Sequence, residues 1–270
     1  MTFLNIIIQF YNEKNMDRKE ELIIAVMQNL NNTYIKSVIN LLDHDGNYIP
    51  ENIRNHEKYC EYELGKWYTY KNVFDFCNEN LNGEYCCIIN LDIMLDTNTK
   101  WINMKNDLDN GYIYALSRHE FDYINNKIEL DPNFIKLFHC NTQDGWFFKS
   151  PVNINDCDFE IGLLGCDNGI ADRIVKSDYK LMNKALEYKL LHIDIIKGKT
   201  SNNFLEFAKK EQGAKIINKK PEEKGHYLVP IYELVTNLSL DNLANQLGLS
   251  DVDKYKLICD MMSMKIKIKN

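Results

Sequence analysis

The run Tyr85-Cys-Cys-Ile-Ile-Asn-Leu-Asp-Ile-Met-Leu-Asp96 constrains the fold more than any other stretch of the chain. It is short and apolar, and its polar members are Asn90, Asp92 and Asp96. Such a run reads as a strand buried on both faces, as in the middle of a parallel sheet. In open α/β sheets, ligands bind just beyond the carboxyl ends of such strands. Carboxylates there can hold a divalent cation, and the cation can hold a phosphate. They can equally cap a following helix.

The flanking segments supply the rest of a parallel sheet. Leu4 to Phe10 reads as a buried strand. Asp17 to Leu30 reads as a helix, with Ile23, Met27 and Leu30 on one face and acidic residues in its first turn. Tyr34 to Leu42 reads as a second strand, closing on the turn signal Asp43-His-Asp-Gly46. Strand, helix and strand in this order predict a right-handed βαβ unit. A less regular stretch, Gly46 to Thr69, precedes a helix over Tyr70 to Leu81 that ends at Asn82-Gly83. Beyond the Asp92 strand, three more strands are predicted: Tyr112 to Ser117, Lys136 to Cys140, and Gly145 to Lys149. A helix over Asp167 to Val175 and a strand over Leu186 to Ile193 follow. Residues 1–196 are thus one α/β domain with a mostly parallel central sheet flanked by helices. Residues 197–270 are a C-terminal extension: a lysine-rich loop to Gly225, then a small helical segment, Leu238 to Met264, suited to a cap or an oligomer contact such as a homodimer.

Composition narrows the function classes. A net charge of −7 argues against nucleic acid, because no basic face is available for a phosphate backbone. Met1-Thr-Phe-Leu-Asn-Ile-Ile-Ile lacks the positive start and small-residue cleavage site of a signal peptide. No apolar segment approaches the roughly 18 residues of a membrane span, so a soluble cytoplasmic protein is expected. The eight cysteines contain no Cys-x-x-Cys pair, and most have apolar neighbours, as small core residues would.

Four clusters fall at predicted strand ends or helix starts. In Phe10-Tyr-Asn-Glu13, an aromatic can stack on a base, while Asn12 and Glu13 can bond ribose or base edges; a simple helix-leading turn is the plainer reading. Asp43 suits a nucleoside or a turn. Asn90, Asp92 and Asp96 offer hard oxygen donors for Mn²⁺ or Mg²⁺, completed by a diphosphate. Leu164-Gly-Cys-Asp-Asn168 opens a helix and places Asp167 at or near its N-cap, where it can cap or act as a general base. His192 ends a strand. Gln143-Asp-Gly-Trp-Phe-Phe-Lys149 sets Asp144 and Lys149 around an aromatic strand whose Trp146 and Phe148 share one face.

The order of these motifs, with Ala115-Leu-Ser-Arg118 between them, resembles glycosyltransferases of the GT-A fold, a Rossmann-like architecture. The likeness is to the family-two-like enzymes of bacteria, protists and large DNA viruses, over residues 3–195. It implies that Tyr11, Glu13 and Asp43 contact the nucleoside of a nucleotide-sugar donor. It implies that Asp92 takes the metal-binding place of an Asp-x-Asp motif, with His192 as a second ligand, and that Asp167 is the catalytic base. Arg118 and Asp144 would stand near donor sugar or acceptor. Asn90 departs from the pattern, since an amide brings oxygen without charge. The expected activity is sugar transfer with inversion to a hydroxyl of a glycan, lipid or protein, in the host cytoplasm if the source is a virus. The rivals are a nucleotidyltransferase, which usually has a glycine- and basic-rich loop where this chain has Phe10-Tyr-Asn-Glu-Lys14, and a non-catalytic sugar-nucleotide scaffold.

Overall fold

The computed structural model describes residues 2–44, 46–123, 125–129, 139–140, 143–163, 165–193 and 229–230. The loop expected over 197–225, the helix over 238–264 and the cap or dimer contact assigned to them lie outside these residues.

The strands β1 (Leu4–Ile8), β2 (Ile35–Leu42), β3 (Tyr59–Glu63) and β4 (Tyr85–Ile89) form one half of a seven-stranded sheet. The order across it is β3-β2-β1-β4, then β10 (Gly145–Lys149), β6 (Tyr112–Leu116) and β11 (Lys180–Met182). Every pairing is parallel except those of β10, which runs antiparallel between β4 and β6. The mixed α/β fold therefore has the mostly parallel central sheet that its apolar strands predict.

Alternation along β1 shows why both faces are covered. Leu4, Ile6 and Ile8 join one core with the helix α1 (Met16–Asn31). Ile7 turns to a second core, where α3 (Tyr70–Asn80) contributes Val73 and Phe74 and α5 (Cys166–Lys176) contributes Ile170 and Ile174. Each such side chain contributes about 1.5–3 kcal/mol on burial. Trp146 and Phe148 sit in that second core, as their shared face predicts. Helix α1 begins one residue early on an Asn15 cap that accepts from the Arg18 amide. Its buried face is Glu21, Leu22, Ala25, Val26, Asn29 and Leu30, with Ile23 and Met27 only flanking it. Among the described residues no helix is long and apolar enough to cross a membrane.

A correction concerns the Tyr85–Asp96 run, which is two strands and not one. The chain leaves β4, turns through Asn90-Leu-Asp92, and enters β5 (Ile93–Leu95) of a second sheet. That sheet has the order β5-β12-β7-β8, with β7 (Arg118–Asp122), β8 (Lys127–Glu129) and β12 (Leu190–Ile193). Asn29 seals the free edge of β5, donating to the Ile93 carbonyl at 2.8 Å and accepting from the Leu95 amide at 3.0 Å. The strand predicted to begin at Leu186 begins at Leu190. Of the strand predicted over Lys136 to Cys140, only β9 (His139–Cys140) is described, paired antiparallel with β13 (Val229–Pro230). The short helices α2 (Glu51–Arg54) and α4 (Lys105–Asp109) and a 3-10 turn at Trp101–Met104 complete the described elements.

Gly145 couples the two sheets. A Cβ there would lie 2.5 Å from Leu190 Cδ1 and 3.1 Å from Phe147 Cε2, and both neighbours are fully buried. Gly145→Ala should therefore overpack the junction and cost about 1–3 kcal/mol. A lowered urea midpoint with an unchanged m value would show it; an unchanged midpoint would mean the junction relaxes freely.

Candidate active site

The parallel direction of β1, β2 and β4 gathers their carboxyl ends along one edge of the sheet, and the antiparallel β10 begins there. That edge collects Phe10–Glu13, Asp43, Asn90–Asp92 and Asp144. The second sheet lies beside it, because Asp92 directly precedes β5, whose Ile93 pairs with His192 of β12 in register.

Period-two alternation aims Arg118 and Glu120 to the same side of β7. The parallel register sets His192 directly opposite Glu120. The result is a continuous chain of charge. Arg18 binds Glu21 at 2.8 Å through Nη1 and Asp92 through Nη2. His192 Nε2 lies 3.2 Å from the same Asp92 oxygen, and its Nδ1 lies 2.8 Å from Glu120. Arg118 joins Glu120 at 3.0 Å to Asp144 at 3.2 Å. Asn90 closes the line, donating its side-chain amide to Asp144 Oδ1 at 3.1 Å.

The charges set one another's protonation. Burial alone would raise the Asp92 carboxyl, but the His192 hydrogen bond and charge, with Arg18 and Arg118, hold it well below the ordinary carboxylate range. Burial disfavours a charged His192, yet its bonds to Asp92 and Glu120 push the imidazole up to about 9. Asp144 is different: its burial, at 4% exposure, outweighs Arg118 and raises it. Its Oδ2 is buried with no hydrogen-bond partner.

Asp167 adjoins the same cluster through Asp144. It is half-buried in the first turn of α5, near the Tyr70 hydroxyl and the Cys166 thiol, each 3.5 Å from Oδ1. Burial, then the neighbouring Asp144 charge, pushes it up to about 7. Asp144 in turn feels Asp92, so the two ends of the cluster meet through it. The N-cap itself is Gly165, in the left-handed conformation at φ 85°, and Asp167 stands two residues on, in the first turn as expected near the cap.

The other candidates divide. Tyr11 is half-buried among Arg18, Glu13 and Asp92, and its ring lies 6.1 Å from that of Trp67. Asn12 is exposed on the same turn, and Glu13 bonds the Asn15 amide at 2.8 Å, so this cluster also leads α1. Asp43 Oδ1 lies 2.8 Å from the Tyr48 hydroxyl. Phe10 has no exposed surface and packs at 6.4 Å on Tyr48, so it offers no stacking face for a base. Lys149 is at the far end of the antiparallel β10, opposite Tyr85, and binds Asp109 at 2.8 Å. Asp96 lies beyond β5, roughly 13 Å from Asp92 by strand rise, and holds its own turn through Asn98 and Thr99. Neither Lys149 nor Asp96 reaches the cluster.

Sequence reasoning missed Arg18, Glu21 and Glu120. Glu21 carried a signal, since it is an acid on the helix face that Leu22 and Ala25 bury.

The donor set does not fit a divalent metal. Asp92 already carries two cationic partners on one oxygen, Asn90 faces Asp144, and Asp96 is elsewhere. Both nitrogens of His192 face carboxylates, at 3.2 Å and 2.8 Å, and these contacts compete with a metal for them. Among the described residues no group of three or more His, Cys, Asp and Glu side chains could hold one.

No protein-family model matches the chain. No curated protein matches it either. Solved structures similar to it include S. aureus TarS 1-349, at 12% identity over 83% of this chain and 68% of that one, with a TM-score of 0.44. The same protein in complex with UDP-GlcNAc gives 11% identity over 83% and 69%, with a TM-score of 0.43. HddC from Yersinia pseudotuberculosis gives 7% identity over 77% of this chain and 99% of that one, with a TM-score of 0.39.

Proposed function

We propose that the chain is a glycosyltransferase that moves a sugar from a nucleotide-sugar donor to an acceptor hydroxyl with inversion. The observation that carries this reading is a pair of unlike carboxylates on either side of Asp144. Asp92 is held ionised among cations, while Asp167 is raised to about 7 beside Asp144. Environments that push two acids apart in this way separate a charge-organising role from an acid–base role.

In this mechanism Asp167 takes the proton of the acceptor hydroxyl. The oxygen attacks the anomeric carbon from the face opposite the leaving group. The carbon–oxygen bond to the diphosphate breaks, and its electron pair leaves with the phosphate. The orphaned Asp144 Oδ2 is placed to accept a hydrogen bond from a sugar or acceptor hydroxyl. Tyr11 and Asp43, at the same sheet edge, would contact the nucleoside. Positioning and fixed charge supply most of the acceleration.

A panel of UDP-, GDP-, CMP- and dTDP-sugars, assayed by released nucleotide with candidate acceptors, tests the proposal. Release that requires an acceptor supports it. Tight nucleotide binding with no turnover on any acceptor would favour the scaffold reading, and pyrophosphate-dependent nucleotide exchange would favour a nucleotidyltransferase.

A further inference from the structure

We infer that the donor diphosphate is bound directly by the spare N–H donors of Arg18 and Arg118, with His192 holding their acid partners in place and no divalent cation between protein and phosphate. This deepens the transferase reading and rests on it. It runs against the metal that the Asn90-Leu-Asp92 motif leads one to expect.

The first argument is occupancy of the acid. Asp92 Oδ2 is shared by Arg18 and His192, so a divalent cation on that oxygen competes with two cationic partners already held there. Displacing Arg18 also disturbs its 2.8 Å contact with Glu21, an acid only 1% exposed. Removing one partner from a buried charge pair is strongly unfavourable. The second argument is His192. Its Nε2 and Nδ1 lie 3.2 Å and 2.8 Å from the Asp92 and Glu120 carboxylates, so a metal on either nitrogen would have to take the place of one of those contacts. The third is the amide at Asn90, which replaces a charged ligand and points its nitrogen at Asp144.

The cations that remain suit a phosphate. A guanidinium carries five N–H donors in a planar fork, and the contacts to Glu21, Asp92, Glu120 and Asp144 leave donors on each arginine. Arg18 and Arg118 are 25% and 31% exposed, which lets a ligand reach them while their acid partners hold them in place. Fixed, partly desolvated arginines meet phosphate oxygens through short charge-assisted bonds, and they need no counter-ion to do so.

The test is calorimetry of UDP and GDP on the full chain, once after EDTA treatment and once with added Mn²⁺. Affinity for at least one nucleotide should agree between the two conditions within about twofold. Arg18→Ala and Arg118→Gln should each weaken it about tenfold or more, the loss of one charge-assisted bond. Wild-type protein alone should leave the free-ion Mn²⁺ resonance signal at full height. Binding that appears only with Mn²⁺, or protein-dependent loss of that signal, overturns this inference and leaves the transferase proposal standing. Binding of neither nucleotide under either condition overturns both.

Discussion

Asp167→Asn is expected to lower the rate of sugar transfer roughly 10²–10⁴-fold, the range that a positioned general base contributes. The amide keeps the size and shape of the carboxyl but cannot take a proton. Donor affinity should be unchanged, because the Arg18–Asp92–His192–Glu120–Arg118 line does not include Asp167. The parent rate should also rise with pH through about 7, where burial and Asp144 place the Asp167 carboxyl. Stability should move the other way. A carboxyl raised above its ordinary 3.8 burdens the folded state increasingly as pH climbs from that value to about 7. The neutral amide removes the burden, so the variant should melt no lower than the parent at pH 8. A structural residue would show the opposite pattern, with activity and melting temperature falling together. Transfer by the variant at the parent's order of magnitude would take Asp167 out of the mechanism.

The position of Asp92 at the sheet edge was legible in the sequence because it follows from strand direction. Apolar runs that stop at an acid place that acid at the end of a parallel strand, and parallel strands end on one edge. The same logic misplaced Lys149, because nothing in Gly145–Lys149 reveals that β10 runs antiparallel. It misplaced Asp96 because the apolar run continues across the turn at Asn90-Leu-Asp92, hiding the passage into a second sheet. β7 was invisible for a related reason. Arg-His-Glu-Phe-Asp carries its polarity toward the site and lacks the apolar pattern of a strand. β3 was missed because four of its five residues are exposed at the sheet's edge. The electrostatic partners were the least legible. Arg18 and Asp92 are 74 positions apart, and His192 and Glu120 are 72 apart, so only the folded sheets decide who neutralises whom.

His192→Gln gives that electrostatic line its largest measurable consequence. The imidazole is raised from 6.5 to about 9 in the folded state, so folding binds a proton there. Its contribution is fully present below pH 6.5 and is lost as pH rises through about 9. The gap corresponds to on the order of 3 kcal/mol, and at 12% side-chain exposure solvent screens little of it. Asp92 and Glu120 act with the opposite sign. Their lowered carboxyls contribute above the ordinary carboxylate range and lose that contribution in acid. The parent should therefore melt highest between these limits. At pH 6 the variant should melt roughly 5–10 °C below it, and the two curves should converge by pH 10. Glutamine leaves Asp92 its bond to Arg18 and Glu120 its bond to Arg118, so the fold has no reason to fail outright. EDTA should move neither curve. Parallel melting curves across this pH span would mean that His192 is neutral in the folded protein, and a melting temperature lowered by EDTA would mean that a bound metal stands where the structure sets a proton.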